Sequence, residues 1–170
     1  IALRRDVDSS DQYKTLKVAR SGLPDYSNTP TIRAIAGAEY RDITALSEQD
    51  FLRESYEISN SSDRMGFRLN GNALNLLDNT ELVSNGVTFG TVQLLPSGQM
   101  IILMADHQTT GGYPKIGHVI KQDLPLLAQL NPGDRITFEI VSVKEAEEIE
   151  LRFERDLRFL KMGLRFNSNK

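Results

Sequence analysis

The chain has 170 residues, of which 39% are apolar and 25% are charged, so it can bury a core as one globular domain. Its net charge is −3 and no basic cluster stands out, which argues against nucleic acid and anionic membranes as partners. It has no cysteine and only two histidines, His107 and His118, which excludes disulfides, thiolate zinc sites, a cysteine nucleophile and a histidine-rich metal site. We predict no bound metal.

No apolar run reaches the length of a membrane span, and the chain has no signal-like start. The lack of cysteine permits a reducing compartment, and we expect a cytoplasmic protein. The first residue is Ile1 rather than Met. We therefore expect a piece of something longer, with a partner domain missing.

The segment 1–30 is polar, and its apolar residues show neither a helical nor a strand-like periodicity. It contains a cluster of acidic and serine residues, followed by Gly22, Pro24 and Pro30. We interpret it as a linker or wrapping arm, with one short strand near 13–19. The domain proper is predicted at 31–170.

Short apolar or alternating segments predict most of the remaining chain as β-strands. In chain order these strands lie at 31–36, 56–59, around Gly66, and at 87–95, 99–105, 116–120 and 135–143. Pro96, Ser97 and Gly98 predict a tight hairpin between 87–95 and 99–105. Glycines within strands favour bends or bulges. The pattern predicts a barrel or sandwich rather than a parallel sheet.

Two short helices interrupt the strands. Ser47, with an acidic residue three positions later, resembles a helix N-cap and predicts a helix over 48–53. Asp123 is predicted to cap a second helix over 123–130, where a proline falls in the tolerated first turn.

The C-terminal segment predicts a longer helix. Ser142 and Glu145 fit a capping box at its start, and Gly163 is predicted to end it. Apolar residues recur at three- and four-residue steps and form one stripe, which we expect to pack on the chain's own core. The stripe consists of Ala146, Ile149, Phe153, Leu157 and Leu160.

The stretch 100–114, MIILMADHQTTGGYP, is the most informative part of the sequence. Its first six residues are apolar and predict a strand buried on both faces. Five side chains that can hydrogen-bond follow in one row, then two glycines and a tyrosine. A polar, glycine-hinged loop on a core strand is a common way to build a binding site, and the alternative is a tight turn with satisfied polar groups. The loop residues are Asp106, His107, Gln108, Thr109, Thr110, Gly111, Gly112 and Tyr113.

A second candidate lies upstream, where two serines and an aspartate favour a turn. Arg64 and Arg68 follow this turn, and each can hold a carboxylate or phosphate in a bidentate fork. The alternative is that both are ordinary surface arginines.

These segments resemble the carboxyltransferase-related family. That family includes the C-type subunit of bacterial 5-oxoprolinase, the second allophanate-hydrolase-type subunit, the matching part of urea carboxylase, and an antagonist of a sporulation-kinase inhibitor. The resemblance runs from about 31 to about 146. It rests on SDRMGFRL (62–69), GTVQ (90–93), ADHQTTGGYP (105–114), and on 123–130 with the following PGD (132–134).

The resemblance implies a mainly β fold, a cyclophilin-like closed β-barrel with a few short helices and a C-terminal helix. It implies two such domains in tandem, of which this chain resembles the second, so its own N-terminal domain is an expected partner. The other expected partner is a related cyclophilin-like subunit, with which the protein forms a hetero-oligomer. The sequence departs only mildly from the family pattern. The departure that falls within the predicted site is His107, where arginine is usual in the family.

The activity that the resemblance implies is the ATP-dependent opening of the lactam 5-oxoproline to glutamate. The expected route phosphorylates the lactam oxygen and then adds water. Asp106 is the candidate acceptor of the lactam N–H or general base. The hydroxyls of Thr109 and Thr110, with the N–H groups of Gly111 and Gly112, are candidates to stabilise negative charge on oxygen.

Three further residues complete the predicted site. Arg64 is expected to grip the substrate carboxylate, and Gln108 and Tyr113 to bind the substrate. ATP is expected at the level of the complex, and the isolated chain is expected to be inactive.

The sequence is also compatible with two other functions. The first is a biotin-dependent carboxyltransferase of the urea amidolyase type, because urea and 5-oxoproline both present an amide edge. The second is a non-catalytic regulatory module that antagonises a histidine kinase inhibitor, because fold does not settle function.

Overall fold

The computed structural model describes residues 26–78 and 82–168, with side chains placed as far as 165 in the last helix. Nearly all of the predicted linker or wrapping arm (1–30), including the strand expected near 13–19, lies outside these residues. The carbonyls of Asn28 and Pro30 accept hydrogen bonds from the N–H groups of Arg135 and Thr137, at 3.0 and 3.2 Å. The chain therefore enters its first described strand alongside its last one.

Within the described residues, seven strands form a closed barrel and two more form a small separate ribbon. The strands are β1 (Thr31–Ala36), β2 (Tyr56–Ile58), β3 (Gly66–Asn70), β4 (Asn85–Gly86), β5 (Thr91–Leu94), β6 (Met100–Leu103), β7 (Thr110–Gly111), β8 (Lys115–Val119) and β9 (Arg135–Ile140). Around the barrel the order is β1-β8-β5-β6-β3-β2-β9, and a parallel β9–β1 pair closes it. The predicted mainly β, closed-barrel fold is confirmed.

Alternate residues of the strands point inward and fill the barrel. Val92 on β5 and Ile102 on β6 are fully buried and lie opposite each other in the ladder. Phe138 on β9 stacks on Phe51 with ring centroids 4.6 Å apart, which fixes the first helix against the barrel. Stacked aromatic pairs of this kind add about 0.5–1.5 kcal/mol to the burial of their area.

The predicted hairpin between β5 and β6 is confirmed. The N–H of Gly98 donates to the carbonyl of Leu95 at 2.9 Å, and the N–H of Leu95 donates to the carbonyl of Gln99 at 2.8 Å. Gly98 has a φ of +81°, a left-handed conformation in which other residues are strained. The strand β6 ends at Leu103, two residues before the predicted end.

The helices are α1 (Ala45–Arg53), α2 (Leu124–Leu127) and α3 (Val143–Ser168). The N-cap predicted for α1, Ser47, was wrong and lies three residues after the observed N-cap. Thr44 is the N-cap, and its hydroxyl accepts from the N–H of Ser47 at 3.2 Å. The Ser47 hydroxyl instead accepts from the N–H of Asn75 at 2.7 Å, which joins α1 to the segment that follows β3.

Asp123 is the N-cap residue of α2, as predicted, but its side chain makes no cap hydrogen bond. Its buried carboxylate instead binds Arg33 on β1. The two oxygens accept from the backbone N–H, Nε and Nη2 of Arg33, at 2.8, 3.0 and 2.5 Å. Burial favours this arrangement because a desolvated carboxylate needs a charged partner and several donors. The helix ends at Leu127, three residues before the predicted end.

The capping box of α3 is confirmed, since the Ser142 hydroxyl accepts from the N–H of Glu145 at 3.2 Å. In return, Glu145 accepts from the N–H of Ser142 at 2.7 Å. Gly163 does not end the helix, which continues to Ser168. The outer part of the stripe does not pack on the core, because Phe153, Leu157 and Leu160 are 56%, 38% and 37% exposed. None of the described helices is both long enough and apolar enough to cross a membrane.

Candidate functional site

The loop after β6 leaves the barrel and returns as part of the two-stranded ribbon. The N–H of Asp106 donates to the carbonyl of Arg64 at 2.9 Å, so the loop first runs beside the turn before β3. Thr110 and Gly111 then form β7, which pairs with β4. The N–H of Val87 donates to the carbonyl of Thr109 at 3.0 Å and extends this ribbon. The predicted glycine-hinged loop is therefore held at both ends by backbone hydrogen bonds.

Asp106 and Arg64, predicted for separate roles, bind each other. Arg64 Nε lies 3.0 Å from Asp106 Oδ2, and Nη2 donates to Oδ1 at 3.3 Å. The side chains are 84% exposed for the arginine and 49% exposed for the aspartate. An exposed pair of this kind contributes about 0–1 kcal/mol, so another carboxylate can exchange for Asp106 at low cost. The Asp106 carboxylate is therefore not buried inside the barrel.

A tight turn fixes the position of Arg64. Asp63 Oδ1 accepts from the N–H groups of Met65 and Gly66, at 2.8 and 3.1 Å. The hydroxyl of Ser62 accepts from the N–H of Arg68 at 3.0 Å. The predicted side-chain-stabilised turn is thus confirmed. A Cβ on Gly66 would overlap the side chain of Ile101 on the neighbouring strand, so a larger residue here would have to displace that side chain.

A cavity of about 440 Å³ lies on the outer face of β3, β5 and β6, between this turn and the ribbon. Four kinds of element line it: outward-facing strand residues, the turn before β3, the hairpin between β5 and β6, and the loop after β6. Its lining residues are Ser61, Asp63, Met65, Gly66, Arg68, Gln93, Leu95, Pro96, Ser97, Ile101, Leu103, Gln108 and Tyr113. We call it the outer cavity. Arg64 and Asp106 are not among its lining residues.

Gln93 lies in the wall of the outer cavity and was missed by the sequence analysis. It is 1% exposed, and its Nε2 has no hydrogen-bond partner within the described part of the chain. Its neighbours Val92 and Leu94 point into the core, so Gln93 points out of the barrel. A buried amide without a partner is costly, so its presence in the wall of a cavity needs an explanation, and a bound ligand is one. The available signal was a polar residue in the middle of an apolar strand.

Two features of the backbone set the position of the Gln93 amide. The ladder between β5 and β8 shifts register between Val92 and Gln93, and bulges of this kind redirect side chains next to functional sites. Gly111 packs against the amide so closely that a Cβ on it would overlap Gln93 Nε2. The glycine predicted for substrate binding therefore lets the ribbon close over Gln93.

A second cavity, of about 650 Å³, lies beside the outer cavity on the other side of Tyr113. Tyr113, Leu95 and Pro96 line both cavities, and the tyrosine ring is 43% exposed. Gly112 also lines the second cavity, whose other walls are mainly leucines. Tyr113 thus stands between two adjoining spaces.

The structure distributes the predicted site residues over three positions. Gln108 and Tyr113 line the outer cavity with Gln93, whereas Arg64 and Asp106 form an exposed pair outside it. The remaining residues lie on or next to the ribbon: Thr109 and Thr110 are exposed, Gly111 covers Gln93, and Gly112 lines the second cavity. The row of five adjacent hydrogen-bonding side chains does not face one site. The catalytic roles assigned to Asp106, Thr109 and Thr110 stay predictions.

Among residues 26–78 and 82–168, no group of three histidine, aspartate or glutamate side chains is placed to hold a metal ion. No metal role is assigned to any residue of the site.

The family model for the carboxyltransferase domain, subdomain A and B, matches residues 2–140. The chain belongs to this carboxyltransferase family. The match reaches upstream of 31, where the resemblance was expected to begin, and includes the segment interpreted as a linker.

Two curated relatives are each named as the C-type subunit of 5-oxoprolinase. The protein from Haemophilus influenzae is 42% identical over 154 residues, which is 88% of this chain and 50% of that protein. The protein from Escherichia coli is 44% identical over 115 residues, or 68% of this chain and 37% of that protein. This member of the carboxyltransferase family therefore spans half or less of the curated relatives it matches.

Among solved structures, the urea amidolyase of Kluyveromyces lactis superposes with a TM-score of 0.74 at 20% identity. The match covers 81% of this chain and 9% of the amidolyase. At this identity the comparison supports the fold of the carboxyltransferase domain and nothing finer.

Proposed function

We propose that this chain is part of a C-type subunit of 5-oxoprolinase, and that with partner subunits it opens 5-oxoproline to glutamate with ATP. The observation that carries the proposal is the identity of 42% and 44% to two proteins of that name. Since the chain spans half or less of those relatives, the rest of the subunit and a related cyclophilin-like subunit belong to the proposed complex. The complex is placed in the cytoplasm, where ATP is available.

The outer cavity is the proposed binding site for the amide edge of the substrate. A lactam presents one N–H donor and one carbonyl acceptor side by side. The Gln93 side chain presents the complementary pair, an NH₂ donor and a carbonyl acceptor, in one rigid plane. A substrate amide that bonds Gln93 would satisfy its Nε2, which has no partner within the described residues. This contact requires the ribbon to move aside, because Gly111 lies against Nε2 in the structure. Gln108 and Tyr113 line the same space and complete the binding set.

The Arg64–Asp106 pair has a proposed role in binding and reaction. The carboxylate of 5-oxoproline can replace Asp106 at the guanidinium fork of Arg64, because both carboxylates match its two parallel donors. This exchange releases Asp106 to accept a proton from the attacking water. Both residues are mostly or half exposed, so the exchange needs no unfolding of the turn that holds Arg64.

The groups proposed to stabilise negative charge lie on the ribbon and beside it. The hydroxyls of Thr109 and Thr110, with the N–H groups of Gly111 and Gly112, are placed in this role. In the reaction, ATP transfers its γ-phosphoryl group to the lactam oxygen and leaves as ADP. Water then adds to the activated carbon and the C–N bond breaks, which leaves an acyl phosphate of glutamate. A second water hydrolyses this acyl phosphate and releases glutamate and phosphate. No residue of this chain is assigned to ATP or to biotin.

The test is co-expression of the complete subunit with the products of its neighbouring genes, followed by purification of the complex and an assay of 5-oxoproline loss with and without ATP. We expect ATP-dependent release of glutamate by the complex. The Asp106→Asn variant should lose at least about a hundredfold in kcat, the usual contribution of a general base. The matched control is Asp42→Asn, an exposed aspartate in the turn before α1, which should keep full activity.

Two results would contradict the proposal. Biotin-dependent carboxylation of urea by the complex would make it a carboxyltransferase of the urea amidolyase type. A purified complex without turnover that binds a kinase inhibitor would make it a regulatory module.

A further inference from the structure

The outer half of α3 exposes an unusual amount of apolar surface. Between 151 and 164, seven large apolar side chains are each more than a third exposed. These residues are Leu151, Phe153, Leu157, Phe159, Leu160, Met162 and Leu164. Phe153, Leu157, Leu160 and Leu164 share one face of the helix, and an exposed apolar face of this kind usually marks an interaction site.

The spacing along α3 is that of a helix built to pack against another helix. Its stripe repeats every eleven residues, since Ala146, Ile149 and Phe153 are followed at that distance by Leu157, Leu160 and Leu164. An eleven-residue repeat of 3.67 residues per turn keeps one apolar seam along nearly straight or right-handed helix pairs.

The charges of α3 are divided between its two halves. The segment 144–151 holds four glutamates and one lysine, a net charge of −3. The segment 152–165 holds five basic and two acidic residues, a net charge of +3. Two copies of α3 in parallel would place like charges side by side, whereas two antiparallel copies place each acidic half against a basic half.

One antiparallel register satisfies both the stripe and the charges. If Phe153 lies opposite Leu157 of the second copy, Ile149 lies opposite Leu160 and Ala146 opposite Leu164. The small residue of the stripe then meets a large one in the end layers.

The same register brings charged residues together beside the seam. It places Glu150 near Lys161 of the second copy and Arg152 near Asp156 of the second copy. By two-fold symmetry each of these opposite-charge contacts occurs twice.

The base of α3 offers a place for the second helix. A groove of about 250 Å³ lies between the barrel and the first turns of α3, and its walls include Ile35, Leu124 and Ala146. Glu147 and Glu150 lie at the same groove, where Glu150 also accepts from Lys121 at 2.6 Å. An apolar groove beside carboxylates fits the apolar, basic outer half of another α3.

We propose that two copies of this chain associate through α3, as an antiparallel and isologous pair in which the outer half of each helix packs into the groove at the base of the other. The interface covers the exposed stripe and closes on itself, so the assembly stops at the dimer.

The test measures the mass of the 170-residue chain in solution by sedimentation equilibrium over a range of concentrations. We expect twice the monomer mass of 19.1 kDa. Leu157→Glu with Leu160→Glu should give a monomer with unchanged barrel signals in circular dichroism. The matched control Leu46→Glu alters an exposed leucine on α1 and should leave the dimer intact.

A charge exchange tests the register. Arg152→Asp alone and Asp156→Arg alone each create two like-charge contacts across the seam and should raise the dimer dissociation constant by about tenfold, equivalent to 1.4 kcal/mol. The double exchange restores opposite charges and should restore the wild-type constant.

A monomer at all concentrations would overturn the proposal, as would a dimer unaffected by the Leu157→Glu and Leu160→Glu pair. Single exchanges without effect would overturn the antiparallel register. If α3 instead binds the remainder of its own subunit or a partner subunit, the 170-residue chain stays monomeric in this measurement, and the proposal fails.

Discussion

Gly111 lies directly against the side-chain amide of Gln93, and a methyl group on the glycine would overlap Nε2. Gly111→Ala therefore has to displace either the amide or the ribbon that covers it. Overpacking of this kind costs about 1–3 kcal/mol. We expect that loss in the free energy of unfolding measured with urea, together with reduced 5-oxoproline turnover by the complex.

The control for Gly111→Ala lies on the paired strand of the same ribbon. Gly86 pairs with Thr110, and a Cβ on it would meet no atom within 4 Å. Gly86→Ala should change stability by less than about 0.5 kcal/mol. Equal effects of the two substitutions would show that the ribbon, rather than contact with Gln93, determines the loss.

Gln93→Leu separates stability from function. The substitution removes a buried amide whose Nε2 has no partner within the described residues and replaces it with an apolar group of similar size. We expect the free energy of unfolding to rise by about 1 kcal/mol, because an unsatisfied donor is no longer buried. At the same time kcat/KM of the complex should fall at least about tenfold, because one substrate hydrogen bond is lost.

The control for Gln93→Leu is Gln99→Leu in the neighbouring hairpin, where the amide donates to Asn70 at 3.3 Å on the surface. It should leave kcat/KM unchanged. A Gln93→Leu variant that is less stable yet fully active would show that the amide has a structural role.

The barrel was predictable because its signals are local. Short apolar strands, the turn at Gly98 and the capping box at Ser142 each depend on a few adjacent residues, and all three were confirmed. The role of Gln93 depends on a ribbon that folds back from 109–111, and no local pattern contains that information. The periodicity of α3 showed that one face is apolar but not what covers that face.

Capping residues were harder to predict because several candidates compete for the same helix end. Thr44 and Ser47 both carry hydroxyls near the start of α1, and tertiary contact with Asn75 decides between them. Asp123 stands at the start of α2, yet the guanidinium of Arg33 binds its carboxylate in place of the helix N–H groups. In both cases a partner distant in sequence outweighs the local preference.

Asp123→Asn tests the buried ion pair with Arg33. The carboxylate is 1% exposed and the arginine side chain 33% exposed, so solvent screens only one member. Loss of the charge leaves three donors of Arg33 facing one neutral amide, and we expect a loss of about 2–3 kcal/mol in the free energy of unfolding. The matched control is Glu57→Gln, whose exposed partner Arg135 lies 3.6 Å away, and its effect should stay below about 1 kcal/mol. Similar losses in both variants would contradict the importance of burial.

His118 should make the stability of the barrel depend on pH. Its ring nitrogens lie 3.3 and 3.4 Å from the hydroxyls of Thr91 and Thr88, and burial lowers its pKa below the usual 6.5. The unfolded chain therefore takes up a proton at a higher pH than the folded one. The stabilisation is present above pH 6.5 and is lost as the pH falls from there through the folded-state pKa.

Urea midpoints measured between about pH 7.5 and pH 5 should therefore fall for the wild type, and less steeply for His118→Gln. A proton NMR titration of the ring should show the same lowered pKa directly. The matched control His107→Gln removes the other histidine, which lies on the loop after β6. If the slope is lost in His107→Gln and kept in His118→Gln, the pH dependence does not arise from the half-buried His118 ring.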